Sequence, residues 1–133
     1  MIFVDSNIVI DLVEDGAWTE WSKRVLSDRQ EPLIANQIVF AEIARTFRSA
    51  AAVSIFLAEI GIGLDPITPE IAYAAGRAHV GYRLAGGGQQ SILADFLIGA
   101  HAAYVGAALM TRDTRRFATY FPDLTLITPE THP

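Results

Sequence analysis

Four carboxylates stand where apolar runs meet polar turns. Asp5 closes Ile2-Phe3-Val4, and Asp113 follows the run Ala107–Thr111 by one residue. Asp95 sits inside Ile92-Leu93-Ala94-Asp95-Phe96-Leu97-Ile98, and Glu42 lies between Ala41 and Ile43. An acid among apolar neighbours is expensive to bury unless something pairs with it. If the four converge to separations of about 5 Å, each pair repels by roughly 3 kcal/mol at an effective dielectric of 20. Few cations are available to offset this, since Lys23 is the only lysine. A hard divalent cation is the economical answer, because Mg²⁺ prefers carboxylate oxygens and water. Metal held by acids at the rim of a fold points to phosphate-ester chemistry.

The elements that must position these acids alternate between short apolar strands and helices. Ile2–Val4, Pro32–Ala35, Ala107–Thr111 and Leu124–Ile127 read as strands, and Leu64–Ile67, broken by Pro66, as an edge strand at best. Helices are expected over Asn7–Val13, Ala17–Leu26, Val53–Ile60 and Ser91–Ala103. Asn36 is placed to cap another helix, carrying Ile38, Ala41, Ile43 and Phe47. Thr68-Pro69-Glu70 supplies a capping oxygen, a proline at the first helical position and an acid in the first turn, and its helix should run to Gly86-Gly87-Gly88. Strands separated by helices mean parallel crossovers, hence a three-layer α/β sheet of five strands. Ligands of such sheets bind beyond the carboxyl ends of the strands, where strand order reverses. If the strands that end at Asp5 and before Asp113 are neighbours at that point, the two carboxylates meet at one crevice.

With these residues in place, the sequence resembles the PIN-domain ribonucleases, and within them the VapC toxins of bacterial toxin–antitoxin pairs. The resemblance is carried by Val4-Asp5-Ser6-Asn7, Ala41-Glu42-Ile43, Ala94-Asp95-Phe96-Leu97-Ile98-Gly99-Ala100 and Thr111-Arg112-Asp113, and it extends through Phe121-Pro122-Asp123-Leu124. Phe96 and His101 stand where small residues are commoner in the family. The resemblance implies a single PIN-like α/β/α domain over residues 1–133 with a five-stranded parallel sheet. It also implies Mg²⁺ or Mn²⁺ dependence, endonucleolytic cleavage of RNA, a cognate antitoxin that blocks the site, and a homodimer. On this reading Asp5, Asp95 and Asp113 hold metal and Glu42 completes the catalytic set, orienting the attacking water. Ser6, Asn7 and Thr111 hydrogen-bond the carboxylates or metal waters. Arg112, Arg115 and Arg116 are candidates for gripping RNA phosphates, which suits the planar guanidinium fork.

Each residue also has a plainer role. Asp5 would cap the helix that follows it, Asp95 would answer a helix dipole, and Asp113 would start a turn. Glu42 has Arg45 at i+3, the spacing of a surface ion pair. Asp11, Glu14 and Asp15 read as a solvated helix end. Trp18 and Trp21 form a packing stripe or a partner surface. His79, His101 and His132 show no ligand spacing, and the triple glycine lacks the Gly-Lys-Ser/Thr of a phosphate loop.

The totals narrow the classes further. The chain has 133 residues, no cysteine and a net charge of −5. Thiolate metal sites, disulfides and a cysteine nucleophile are therefore excluded. A globally acidic chain is a poor non-specific polyanion binder, so RNA must be engaged locally. Mean hydropathy is +0.29, yet the longest stretch without Asp, Glu, Lys or Arg, Phe96–Thr111, is 16 residues. A span needs about 20, so no membrane segment is expected, and with no signal-peptide pattern the expected location is cytoplasmic. A haloacid-dehalogenase-like phosphotransferase would need a second aspartate where Asn7 stands and a later lysine. A PIN-like module that binds protein or RNA without turnover is the other alternative.

Overall fold

The computed structural model describes residues 1–88 and 91–133. The chain runs β1 (Ile2–Val4), α1 (Ser6–Val13), α2 (Thr19–Ser27), β2 (Leu33–Ala35), α3 (Gln37–Ile43), α4 (Ala50–Glu59), β3 (Ile62–Leu64), α5 (Pro69–Leu84), α6 (Leu93–Val105), β4 (Ala108–Met110), α7 (Thr114–Tyr120) and β5 (Leu126–Ile127). All strand pairs are parallel, in the order β3-β2-β1-β4-β5. Strand order therefore reverses at β1, which has β2 on one side and β4 on the other. Right-handed crossovers place the helices of the two halves on opposite faces, giving a three-layer α/β/α architecture.

The strands are short, and their burial rather than their length secures them. Phe3, Val4, Ala35, Leu109 and Met110 are fully enclosed. Each large apolar side chain removed from water contributes roughly 1.5–3 kcal/mol. A second apolar nest joins α5, α6 and α7: Phe96 stacks on Tyr120 with centroids 4.6 Å apart and meets Tyr82 and Phe121. This is why a large aromatic stands at position 96. Gly99, one turn along α6, leaves room for the Phe121 ring, which a Cβ there would overlap. Gly106 ends α6 at φ +72°, a conformation that favours glycine.

The expected caps form. Asn36 Oδ1 accepts from the N–H groups of Ile38 and Val39, and Thr68 Oγ1 from that of Ile71. Most element bounds shift by one to three residues from expectation, and two departures go further. The helix capped by Asn36 tightens into a 3₁₀ turn over Ala44–Thr46, which leaves Phe47 beyond it. The edge strand is Ile62–Leu64, ahead of Pro66, because pairing to Leu33–Ala35 needs backbone donors that proline lacks. Among the described residues, no helix is long and apolar enough to cross a membrane.

Candidate active site

The crevice opens beyond the carboxyl ends of β1 and β4. Asp5 N–H donates to Met110 O at 3.0 Å, so the ends of the two strands are tied together. Asp5 is 5% exposed. One of its oxygens accepts from Ser6 N–H at 2.7 Å, capping α1, and the other from the Thr111 hydroxyl at 2.7 Å. The capping role and the site role thus coexist on one side chain. Thr111 Oγ1 in turn accepts from Asn7 Nδ2 and from Asp113 N–H. Asn7 Oδ1 accepts from Arg112 N–H. Ser6, Asn7 and Thr111 therefore form the polar web that fixes Asp5 and the turn bearing Asp113.

The other acids arrive from α3, α6 and the start of α7, and electrostatics shows that they share one region. Burial pushes the Asp5 carboxyl up to about 6, with Glu42 and Asp95 adding repulsion, against the hydrogen bonds from Thr111 and Ser6. Glu42 reaches solvent but faces the crevice, and its carboxyl is also raised, by desolvation first and by Asp95 as well. Asp95 is raised by its burial and by Asp113, while Arg116 pulls it down. The Arg116 guanidinium lies between two of the acids, with Nη1 3.1 Å from Asp95 Oδ2 and Nε 3.2 Å from Asp113 Oδ2. Among the described residues, no three acidic or imidazole groups are closed around one point. The donor set nonetheless suits a hard divalent ion: carboxylate oxygens whose charges disfavour one another and gain from a shared cation.

Other sequence readings are corrected by the packing. Asp11 is not a solvated helix end but is 8% exposed, and it takes two hydrogen bonds from Arg112, at 2.8 and 3.0 Å, and one from the Ser22 hydroxyl. Arg112 also lies over the Trp18 ring, 5.9 Å from its centroid. Its guanidinium is thus committed to anchoring the Thr111–Asp113 turn on α1 and α2. Alternation along Met110–Asp113 was the available signal, since a neighbour of inward-facing Thr111 must point elsewhere. Trp18 and Trp21 meet edge to face at 6.2 Å, and Trp21 Nε1 donates to His132 O. Arg45 lies 4.0 Å from Glu14, not paired with Glu42. Arg115 is exposed on α7.

A buried polar group that sequence reasoning missed lies at the ends of β2 and β3. His101 is fully enclosed, with Nε2 2.7 Å from Asp65 Oδ2 and Nδ1 2.9 Å from Asn36 Nδ2. Because Asn36 Oδ1 is used by the α3 cap, its amide N–H₂ must face the ring. Nδ1 is then the acceptor and Nε2–H donates to Asp65. This network joins α3, which bears Glu42, to α6, which bears Asp95.

The family profile of the PIN domain matches residues 2–121. The chain belongs to the PIN domain family. Its fold is similar to that of VapBC2 from Rickettsia felis bound to a promoter DNA fragment, with a TM-score of 0.72 and 19% identity over 96% of this chain and 98% of that one. A toxin–antitoxin complex from Klebsiella pneumoniae gives 0.73 and 23%, covering 97% and 98%. VapC20 from Mycobacterium tuberculosis, described as a sarcin–ricin-loop-cleaving toxin, gives 0.72 and 16%, covering 97% and 100%. No curated protein sequence matches the chain.

Proposed function

We propose that this chain is a metal-dependent endoribonuclease and the toxin of a toxin–antitoxin pair, acting on cytoplasmic RNA. The observation that carries the reading is the electrostatic coupling of Asp5, Glu42, Asp95 and Asp113 at the strand-order reversal. Asp5, Asp95 and Asp113 would hold Mg²⁺ or Mn²⁺. Bound there, the cation supplies Lewis acidity toward a phosphodiester and lowers the pKa of water. Glu42, its carboxyl raised by desolvation and by Asp95, accepts the proton of the attacking water. Thr111 and Ser6 keep the Asp5 oxygens aimed while the charge of the crevice changes. Arg115 and Arg116 stand on the α7 rim, where they meet RNA phosphates, and Arg112 holds the turn between them and Asp5 in place.

The fold neighbours that are toxin–antitoxin complexes support a protein partner, and exposed Tyr73, Val80 and Leu84 along α5 offer apolar area for an antitoxin or a second copy. Incubating the partner-free protein with mixed structured RNAs tests the reading. Fragments are expected with Mn²⁺, and none with EDTA or in Asp95→Asn. Intact RNA from a folded, Mn²⁺-saturated protein across a wide RNA panel would count against nuclease activity.

A further inference from the structure

Arg116 is placed unlike a surface ion pair. A pairing with Asp113 alone would be an ordinary i, i+3 contact on an exposed helix. Its Nη1, however, reaches across to Asp95 on α6, so one guanidinium bridges two acids that raise each other's charge cost. The side chain is 42% exposed, against 10% for Asp95 and 32% for Asp113, so the cation sits at the mouth and the acids below it. Phe117, 1% exposed, anchors α7 in the main core beside it. The oxygens it occupies, Oδ2 of Asp95 and Oδ2 of Asp113, belong to two of the three carboxylates assigned to the metal. A divalent ion drawn to these two carboxylates, on whichever oxygen, meets the positive guanidinium at close range and is repelled by it.

We infer that Arg116 is a resident counter-ion of the acidic crevice, which pairs Asp95 with Asp113 in the metal-free chain, competes with the divalent ion for them, and is released at the crevice mouth to engage RNA phosphate when the ion binds. The inference rests on the divalent-ion site proposed above. It explains how four acids are tolerated together before metal arrives: the positive charge is supplied from within the chain, on a side chain flexible enough to leave. The displaced fork keeps its planar donors and stands where the RNA backbone must pass. Arg116 thus weakens metal binding and strengthens substrate binding, two effects of opposite sign from one residue.

Mn²⁺ titration calorimetry on the chain, Arg116→Gln, Arg116→Lys and Arg115→Gln separates this from a structural staple and from general charge. Arg116→Gln should bind Mn²⁺ about five- to tenfold more tightly, the scale of losing two partly exposed ion-pair contacts. Arg116→Lys should fall between it and the parent, because an ammonium cannot bridge with two fixed N–H groups. Arg115→Gln, which removes the neighbouring charge without touching the acids, should shift affinity less than about twofold. At saturating Mn²⁺, Arg116→Gln should also raise KM for RNA more than it lowers kcat. Unchanged or weaker Mn²⁺ binding in Arg116→Gln, or an equal gain in Arg115→Gln, would overturn the inference while leaving the metal site standing. An unchanged KM would overturn the phosphate role. Absence of Mn²⁺ binding in all four chains would remove the site itself and the inference with it.

Discussion

The two oxygens of Asp5 are divided between the Ser6 N–H and the Thr111 hydroxyl, yet burial still lifts its carboxyl to about 6. Because the folded pKa exceeds the ordinary 3.8, the native state binds the proton more tightly than the unfolded one. Stability of the metal-free chain is therefore lost as pH rises through the window from about 4 to 6, by roughly 2–3 kcal/mol from this group. Melting temperatures of the parent relative to Asp5→Asn should fall across that window, and a flat difference would show that Asp5 is not perturbed. Glu42 makes the complementary case. Desolvation raises its carboxyl by more than Ser6 and Arg116 lower it, so Glu42→Gln should raise the metal-free melting temperature by about one or two degrees. The same change should slow RNA cleavage about a hundredfold, the scale of losing a general base. At this scale the sequence displayed the acids because each interrupts an apolar run. It did not display the partners of Arg112 or His101, since a guanidinium or an imidazole reads the same whether it meets solvent or, as here, Asp11 and Asp65.

Elements carry the acids to the crevice, and their own contacts set how well they do so. Helix α6 is held by Phe96 in its aromatic nest, by Gly99 against Phe121, and by His101 against the α3 cap. Alanine exceeds glycine in helix propensity by about 1 kcal/mol. Gly99→Ala should nonetheless destabilise the chain by about 1–3 kcal/mol, because the Phe121 ring, packed against Phe96, must shift to admit the methyl group. A rise in the denaturant midpoint would show that the ring yields. The caps at Asn36 and Thr68 were legible, since an N-cap depends on residues within one turn. The break after Ile43 and the edge strand at Ile62–Leu64 were not. At the first, the Thr46 hydroxyl donates to the Ile43 carbonyl, and the second follows from pairing with Leu33–Ala35, a partner distant in sequence.

For the whole molecule, the order β3-β2-β1-β4-β5 does the decisive work. It makes β1 and β4 neighbours and so brings Asp5 beside the turn that bears Asp113, although they lie more than a hundred residues apart. The alternation of strands and helices fixed the parallel sheet, but the adjacency of β1 and β4 entered the sequence reading as a condition and was supplied by the structure. The most direct test of the account is thermal melting of the parent and Asp5→Asn at neutral pH with increasing Mn²⁺. The parent should gain about 2.7 kcal/mol at a hundredfold excess over its dissociation constant, a shift of several degrees, and Asp5→Asn should gain almost none. Equal gains in both chains, or none in the parent, would contradict a shared metal site at the strand ends.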